Sequence, residues 1–108
     1  MVALPHEDVF RALSDPTRRA LFESLCRDGN QTVGSLTRGA GVSQPAVSKH
    51  LRILKQAGLV SDRPAGRQTH YGARPAALAA LVDWSARMTA FWEDRFDRLD
   101  DLLDRMDQ

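Results

Sequence analysis

Thiol and imidazole chemistry are scarce in this chain. Cys26 is the sole cysteine among 108 residues, so no intrachain disulfide framework can form, and the usage fits a reducing cytoplasm. The three histidines, His6, His50 and His70, fall in three separate segments. Soft or borderline metals need thiolates or imidazoles grouped as ligands, so neither a metal nor a cofactor is expected. No stretch approaches the ~20 apolar residues of a membrane span. The opening MVALPHEDVF has neither a basic nor an apolar export region, so no membrane partner and no signal peptide are expected. The chain offers no Ser/His/Asp or Cys/His set and no phosphate-binding glycine loop, which argues against an enzyme. Its glycines fall instead at helix ends and turns.

Acidic residues are also missing from one place. Residues 38–74 hold seven basic side chains (Arg38, Lys49, Arg52, Lys55, Arg63, Arg67 and Arg74) against Asp62 alone, a net of +6, while residues 1–37 carry −1 and residues 75–108 carry −4. A basic middle between acidic ends is the electrostatic footprint of a polyanion-binding protein. The alternative is a solvated surface that happens to be basic. A chain of this length is expected to form one compact domain over residues 1–108. Such a small domain buries only about two-thirds of its unfolded surface, which leaves room for burial against a partner.

The elements follow from spacing and punctuation. Residues 6–13 read as a short helix with Val9, Phe10 and Leu13 on one side. Asp15 is a good N-cap and Pro16 suits the first helical position; a second helix follows and ends at Asp28-Gly29-Asn30. Thr32 caps a third helix with Val33, Leu36 and Ala40 inward, closed by Gly39 and Gly41. Ser43 caps a fourth helix, from Gln44 to Ala57, stopped by Gly58. Strands near Leu59–Arg63 and Arg67–Gly72 flank a turn at Pro64-Ala65-Gly66 and form a hairpin. Arg74-Pro75 begins a last helix that can run to Met106, roughly 45 Å at ~1.5 Å per residue.

The order helix, tight glycine turn, helix, hairpin is the main signal. On a wheel, Ala46, Val47, His50, Leu51, Ile53, Leu54 and Ala57 share one arc of the fourth helix. Gln44, Pro45, Ser48, Lys49, Arg52, Lys55 and Gln56 share the other, which contains no acid. A helix that enters the major groove of double-stranded DNA needs short or amide side chains near its N-terminus and cations further along. Ser43, Gln44, Ser48, Lys49, Arg52 and Lys55 are therefore candidate DNA contacts. Arg63, Arg67 and Gln68 join them from the hairpin, whose basic tip can follow the backbone or enter the minor groove. The bland readings are an amphipathic surface helix, which usually mixes both signs on its wet face, and a solubilising turn. His50 sits in the apolar arc and reads as a structural residue with a hydrogen-bond partner. Cys26, beside the cation Arg27, reads as a buried, inert thiol.

The stretches LSDPTRRALFESL, GVSQPAVSKHLRILKQAGLV and GRQTHYGA, spanning roughly residues 8–73, resemble the ArsR-type (ArsR/SmtB-like) winged-helix repressors. The resemblance implies a mainly α fold with a small β-hairpin: a helix-turn-helix over residues 32–57, a wing over 59–72 and a C-terminal dimer helix over 75–106. It further implies a homodimer that represses transcription from a palindromic operator. By the same resemblance, Gln44, Ser48 and Lys49 match base-contacting positions, and Arg67 and its neighbours match the wing. Many members sense metals through a Cys-x-Cys pair before the recognition helix or Asp/His sets on the last helix. Here residues 32–40 read TVGSLTRGA and no histidine follows Pro75, so the non-metal-sensing branch is indicated. No residue set identifies a small-molecule effector.

The last helix repeats apolar residues at steps of three and four, from Leu78 and Leu81 through Met88, Trp92, Phe96 and Leu99 to Met106. One small domain cannot cover so long a stripe, so a second copy is expected to, with Leu81, Met88, Trp92, Phe96 and Leu99 at the interface. The carboxylates of Asp97, Asp100, Asp101 and Asp104 read as a solvated face. Competing readings are a protein-interaction module whose winged helix no longer binds DNA and a ligand- or metal-responsive repressor with a non-standard sensor site.

Overall fold

The computed structural model describes residues 5–107. Helices α1 (Pro5–Ser14) and α2 (Pro16–Asp28) come first. Strand β1 (Gln31–Thr32), α3 (Val33–Ala40) and α4 (Gln44–Gln56) follow. Strands β2 (Val60–Ala65) and β3 (Gln68–Ala73) form the hairpin, a 3-10 turn spans Pro75–Leu78, and α5 (Ala79–Met106) ends the described chain. This is the expected mainly helical, winged order.

Side-chain caps set the helix starts. The Asp15 carboxylate accepts the Arg18 amide at 2.9 Å, the Thr32 hydroxyl accepts the Ser35 amide at 3.2 Å, and the Ser43 hydroxyl accepts the Ala46 amide at 3.3 Å. The Thr32 and Ser43 caps are each worth about 1 kcal/mol. The SDPTRR motif is a helix corner. While Asp15 and Pro16 start α2, the Arg18 guanidinium donates to the Ala12 carbonyl at 2.7 Å and Arg19 to that of Leu13 at 2.9 Å. Both cations thus satisfy carbonyls left open at the end of α1. Gly41, at φ 70°, makes the left-handed step between α3 and α4.

The core gathers Val9 and Ala12 of α1, Leu21, Phe22 and Leu25 of α2, Leu36 of α3, and Val47, Leu51 and Leu54 of α4, with Leu59 and Val60 beneath them. Val47, Leu51 and Leu54 are wholly enclosed. Each such side chain contributes about 1.5–3 kcal/mol through burial, so α4 is held firmly by one face.

Several expectations are revised. The hairpin is part of a three-stranded antiparallel sheet of order β1-β3-β2, because Gln31 and Thr32 pair with Tyr71 and His70. Two residues are too short to show an alternating pattern. The β2–β3 ladder runs on to Ala65 opposite Gln68, so the turn is Gly66-Arg67 rather than Pro64-Ala65-Gly66. Gly66 takes φ 64°, as the first central residue of a tight hairpin turn requires. Pro64 is tolerated within the ladder because β2 is an edge strand. The segment from Pro75 opens as the 3-10 turn, with α5 proper beginning at Ala79. Phe10 lies largely outside the core and packs edge-on against Trp84 of α5, ring centroids 4.9 Å apart. Cys26, expected to be buried, is exposed on α2 because Leu21, Phe22 and Leu25 take the inner face.

Helix α5 has no buried residue. Leu78 and Leu81 pack partly against the core, but every residue from Phe91 to Asp107 is exposed. The described structure measures 75 × 31 × 20 Å with a radius of gyration of 19.9 Å. A compact chain of this length has about 13 Å. The excess comes from α5, which projects away from the core. Among the described residues, no helix is long and apolar enough to cross a membrane.

Candidate nucleic-acid interface

Helix α4 follows α3 across the Gly41 step and turns its inner face to the core. Its other face is left to solvent. Gln44, Pro45, Lys49, Arg52, Lys55 and Gln56 are exposed, and Ser48 is half-buried. Ser43 is exposed at the helix start, where its hydroxyl is occupied as the cap. The wing carries Arg63, Arg67 and Gln68, all exposed. Arg67 stands at the tip of the turn.

The cations differ in what they already hold. Lys55 donates to Asp62 of β2, its Nζ 3.0 Å from the carboxylate. The one acid of the basic middle is therefore spent on one lysine, and Lys55 is a weaker candidate than its neighbours. Among the described residues, Arg38, Lys49, Arg52, Arg63 and Arg67 make no ion pair. Their charge stands uncompensated on the side of the molecule formed by α3, α4 and the wing. The acids of α5 lie elsewhere, on the projecting helix.

A groove of about 420 Å³ opens between α3, the start of α4 and the wing. Arg38, Gln44, Arg67 and Gln68 line it together. Gln44 and Arg67, drawn from opposite ends of the candidate set, thus meet at one place. Sequence reading counted Arg38 only as charge. Its position in the last turn of α3, opposite the basic tip of the hairpin, is the signal that finds it once the turn is placed.

Two titratable residues behind α4 have other roles. His50 is half-buried, and its Nδ1 is enclosed without the expected hydrogen-bond partner among the described residues. Asp15 has its carboxyl held below the ordinary carboxylate range. The Arg18 amide is the largest cause; partial desolvation opposes it, and the Coulombic influence of His50 and Arg18, with the Thr17 amide, adds to the lowering. Among the described residues, no group of three His, Cys, Asp or Glu side chains is placed to hold a metal.

The candidate interface residues on α5 form a separate surface. Trp92 and Phe96 are 58% and 60% exposed, with ring centroids 6.2 Å apart, and Arg95 lies over the Trp92 ring. Leu99 is exposed too, whereas Leu81 and Met88 are half-buried.

The chain has relatives among known proteins. The model of the family of bacterial regulatory proteins named for arsR matches residues 15–62. An HTH-type transcriptional regulator of Mycobacterium tuberculosis is 47% identical over 87 residues, covering 76% of this chain and 80% of the relative. The transcriptional repressor SdpR of Bacillus subtilis is 38% identical over 77 residues, covering 71% and 84%. Among solved structures, an ArsR-like transcriptional regulator from Rhodococcus superposes with a TM-score of 0.77 at 34% identity, covering 91% of this chain and 92% of that one.

Proposed function

The chain belongs to the arsR family of bacterial regulatory proteins, and from that membership we propose a cytoplasmic homodimeric repressor that binds an inverted-repeat operator in double-stranded DNA. One observation carries the proposal. Helix α4 is anchored by Val47, Leu51 and Leu54, all fully enclosed, while its exposed face presents amide, hydroxyl and cationic groups and no acid. A surface helix with no partner in view would gain solubility from either sign of charge. A face restricted to donors and cations suits base edges and phosphates.

In this reading Gln44, Ser48 and Lys49 reach base edges in the major groove, with Ser43 at the helix start. Arg52 lies further along, where it meets a base or a phosphate. Arg63, Arg67 and Gln68 of the wing follow the backbone, and Lys55 supplies charge reduced by Asp62. The whole of residues 1–108 acts as one DNA-binding unit, with the helix-turn-helix at 32–57, the wing at 59–72 and the dimer helix at 75–106. The exposed apolar stripe of α5 supports a second copy as its cover, through Leu81, Met88, Trp92, Phe96 and Leu99. A two-fold pair would set two copies of α4 about 34 Å apart, one turn of DNA, which calls for an inverted repeat.

The test is a titration against DNA from the gene's own upstream region and against scrambled DNA, at several salt concentrations. The expected result is tight binding to one specific site, falling steeply with salt as phosphate contacts are screened. A site found by random-sequence selection would serve equally if the upstream DNA lacks one. Failure to bind any DNA at low salt would contradict the proposal and favour a protein-interaction module. Replacement of Arg52 by Ala should weaken binding, uniformly if it meets a phosphate and at one base position if it reads a base.

A further inference from the structure

We propose that Arg38 of α3 and Arg67 of the wing hold the same DNA phosphate, seated in the groove between them, so that the wing and the helix-turn-helix grip one strand as a single clamp. This rests on the DNA-binding reading above and adds to it a residue on α3 and a shared ligand. The two guanidiniums come from distant parts of the chain, yet line one groove with Gln44 and Gln68. Neither is ion-paired among the described residues. The only acid between residues 29 and 73 is Asp62, which is engaged by Lys55. Two like charges facing one open, polar groove repel each other unless an anion lies between them, and a phosphate accepts several charge-assisted hydrogen bonds at once.

The surroundings fit a phosphate in the same place. The first turn of α3, Val33 to Ser35, lines the groove as well. The Ser35 amide is taken by the Thr32 hydroxyl, so what the helix start adds to the guanidinium attraction is the positive end of the α3 dipole. Gln68 lines the groove too and supplies a neutral donor from the wing. The groove adjoins the start of α4, where Ser43 and Gln44 would approach the bases. The strand that passes the end of the recognition helix therefore has its backbone within reach of both arginines. A phosphodiester of DNA is the occupant inferred, because the site is open along its length and continuous with the basic face of α4.

The experiment compares the full-length protein with Arg38→Ala, Arg67→Ala and the double variant, titrating specific and scrambled DNA over a range of salt. Arg38 is exposed and makes no structural hydrogen bond among the described residues, so circular dichroism and thermal melts should match the parent. Each single variant is expected to weaken both DNAs alike while changing the slope of log affinity against log salt by less than one, because the remaining guanidinium still holds the phosphate. The double variant should reduce the slope by about one in all, because only one phosphate is lost. Arg38→Lys should recover part of the affinity. An Arg38→Ala variant with unchanged affinity and slope would overturn the proposal. Single variants that each lower the slope by about one, with a double variant that lowers it by about two, would overturn the sharing, since each arginine would then hold its own phosphate. If the parent protein binds no DNA, the underlying reading fails. If the parent binds and only the Arg38 variants behave as the parent, this inference alone fails.

Discussion

Asp15 works at a corner where three helices meet. It caps α2 through the Arg18 amide, while Arg18 reaches back to the Ala12 carbonyl and His50 approaches from α4. Because its folded pKa is lowered, its ionised form stabilises the fold at any pH above the ordinary carboxylate range. That contribution is lost as the pH falls through this range to the depressed folded value. Asp15→Asn keeps a capping oxygen but cannot titrate. Urea unfolding of the variant should therefore show a shallower loss of stability on acidification than the parent, and parallel curves would contradict the assignment. The cap itself is legible in the sequence, since Ser-Asp-Pro can start a helix in few other ways. The roles of Arg18 and Arg19 are not. Both become capping groups only where the end of α1 lies beneath them. The exposure of Cys26 has a related cause: with Phe22 taking an inward place on α2, the outer face is left to the thiol.

At the scale of elements, α4 and the wing are joined by the Lys55–Asp62 pair. Exposed pairs of this kind contribute only about 0–1 kcal/mol to stability, so its effect on DNA binding should be the larger one. Asp62→Asn removes the one acid on the basic face and frees Lys55. The variant is expected to bind DNA more tightly than the parent and with a steeper salt slope, at nearly unchanged melting temperature. Weaker binding would mean that the pair positions the wing rather than tempering its charge. Helices α2, α3 and α4 could be read from caps, glycines and 3.6-residue spacing because each carries all three signals. Strand β1 could not, because its two residues owe their conformation to Tyr71 and His70 across the ladder. The hairpin turn was placed early because Pro64 resembles turn chemistry, although an edge strand accommodates it. The candidate contacts on α4 were legible from one wheel. Arg38 was not, because its partnership with Arg67 exists only once the chain has folded.

Over the described residues the molecule is elongated, and the apolar stripe of α5 is left open to solvent. Trp92, Phe96 and Met106, the last 72% exposed, stand on a helix of 28 residues that leaves the core after its first turns. Large aromatics on such a surface are strong anchors for association. Trp92→Ala should shift the protein toward monomer in sedimentation and weaken specific DNA binding more than non-specific binding, since two half-sites would no longer be held together. A dimer of unchanged affinity would place the interface elsewhere. The charge asymmetry of the sequence also acquires a geometry at this scale, with uncompensated cations on α3, α4 and the wing and the acids concentrated on α5.

A two-fold homodimer of the proposed kind inserts two copies of the exposed face of α4 into successive major grooves. Chemical footprinting of the selected site, with guanine methylation protection read in the major groove, tests it most directly. Two symmetric protected blocks centred about 10 base pairs apart, or a whole multiple of that, are the result expected of a two-fold dimer reading an inverted repeat. A single unpaired block, or protection confined to the minor groove, would contradict it.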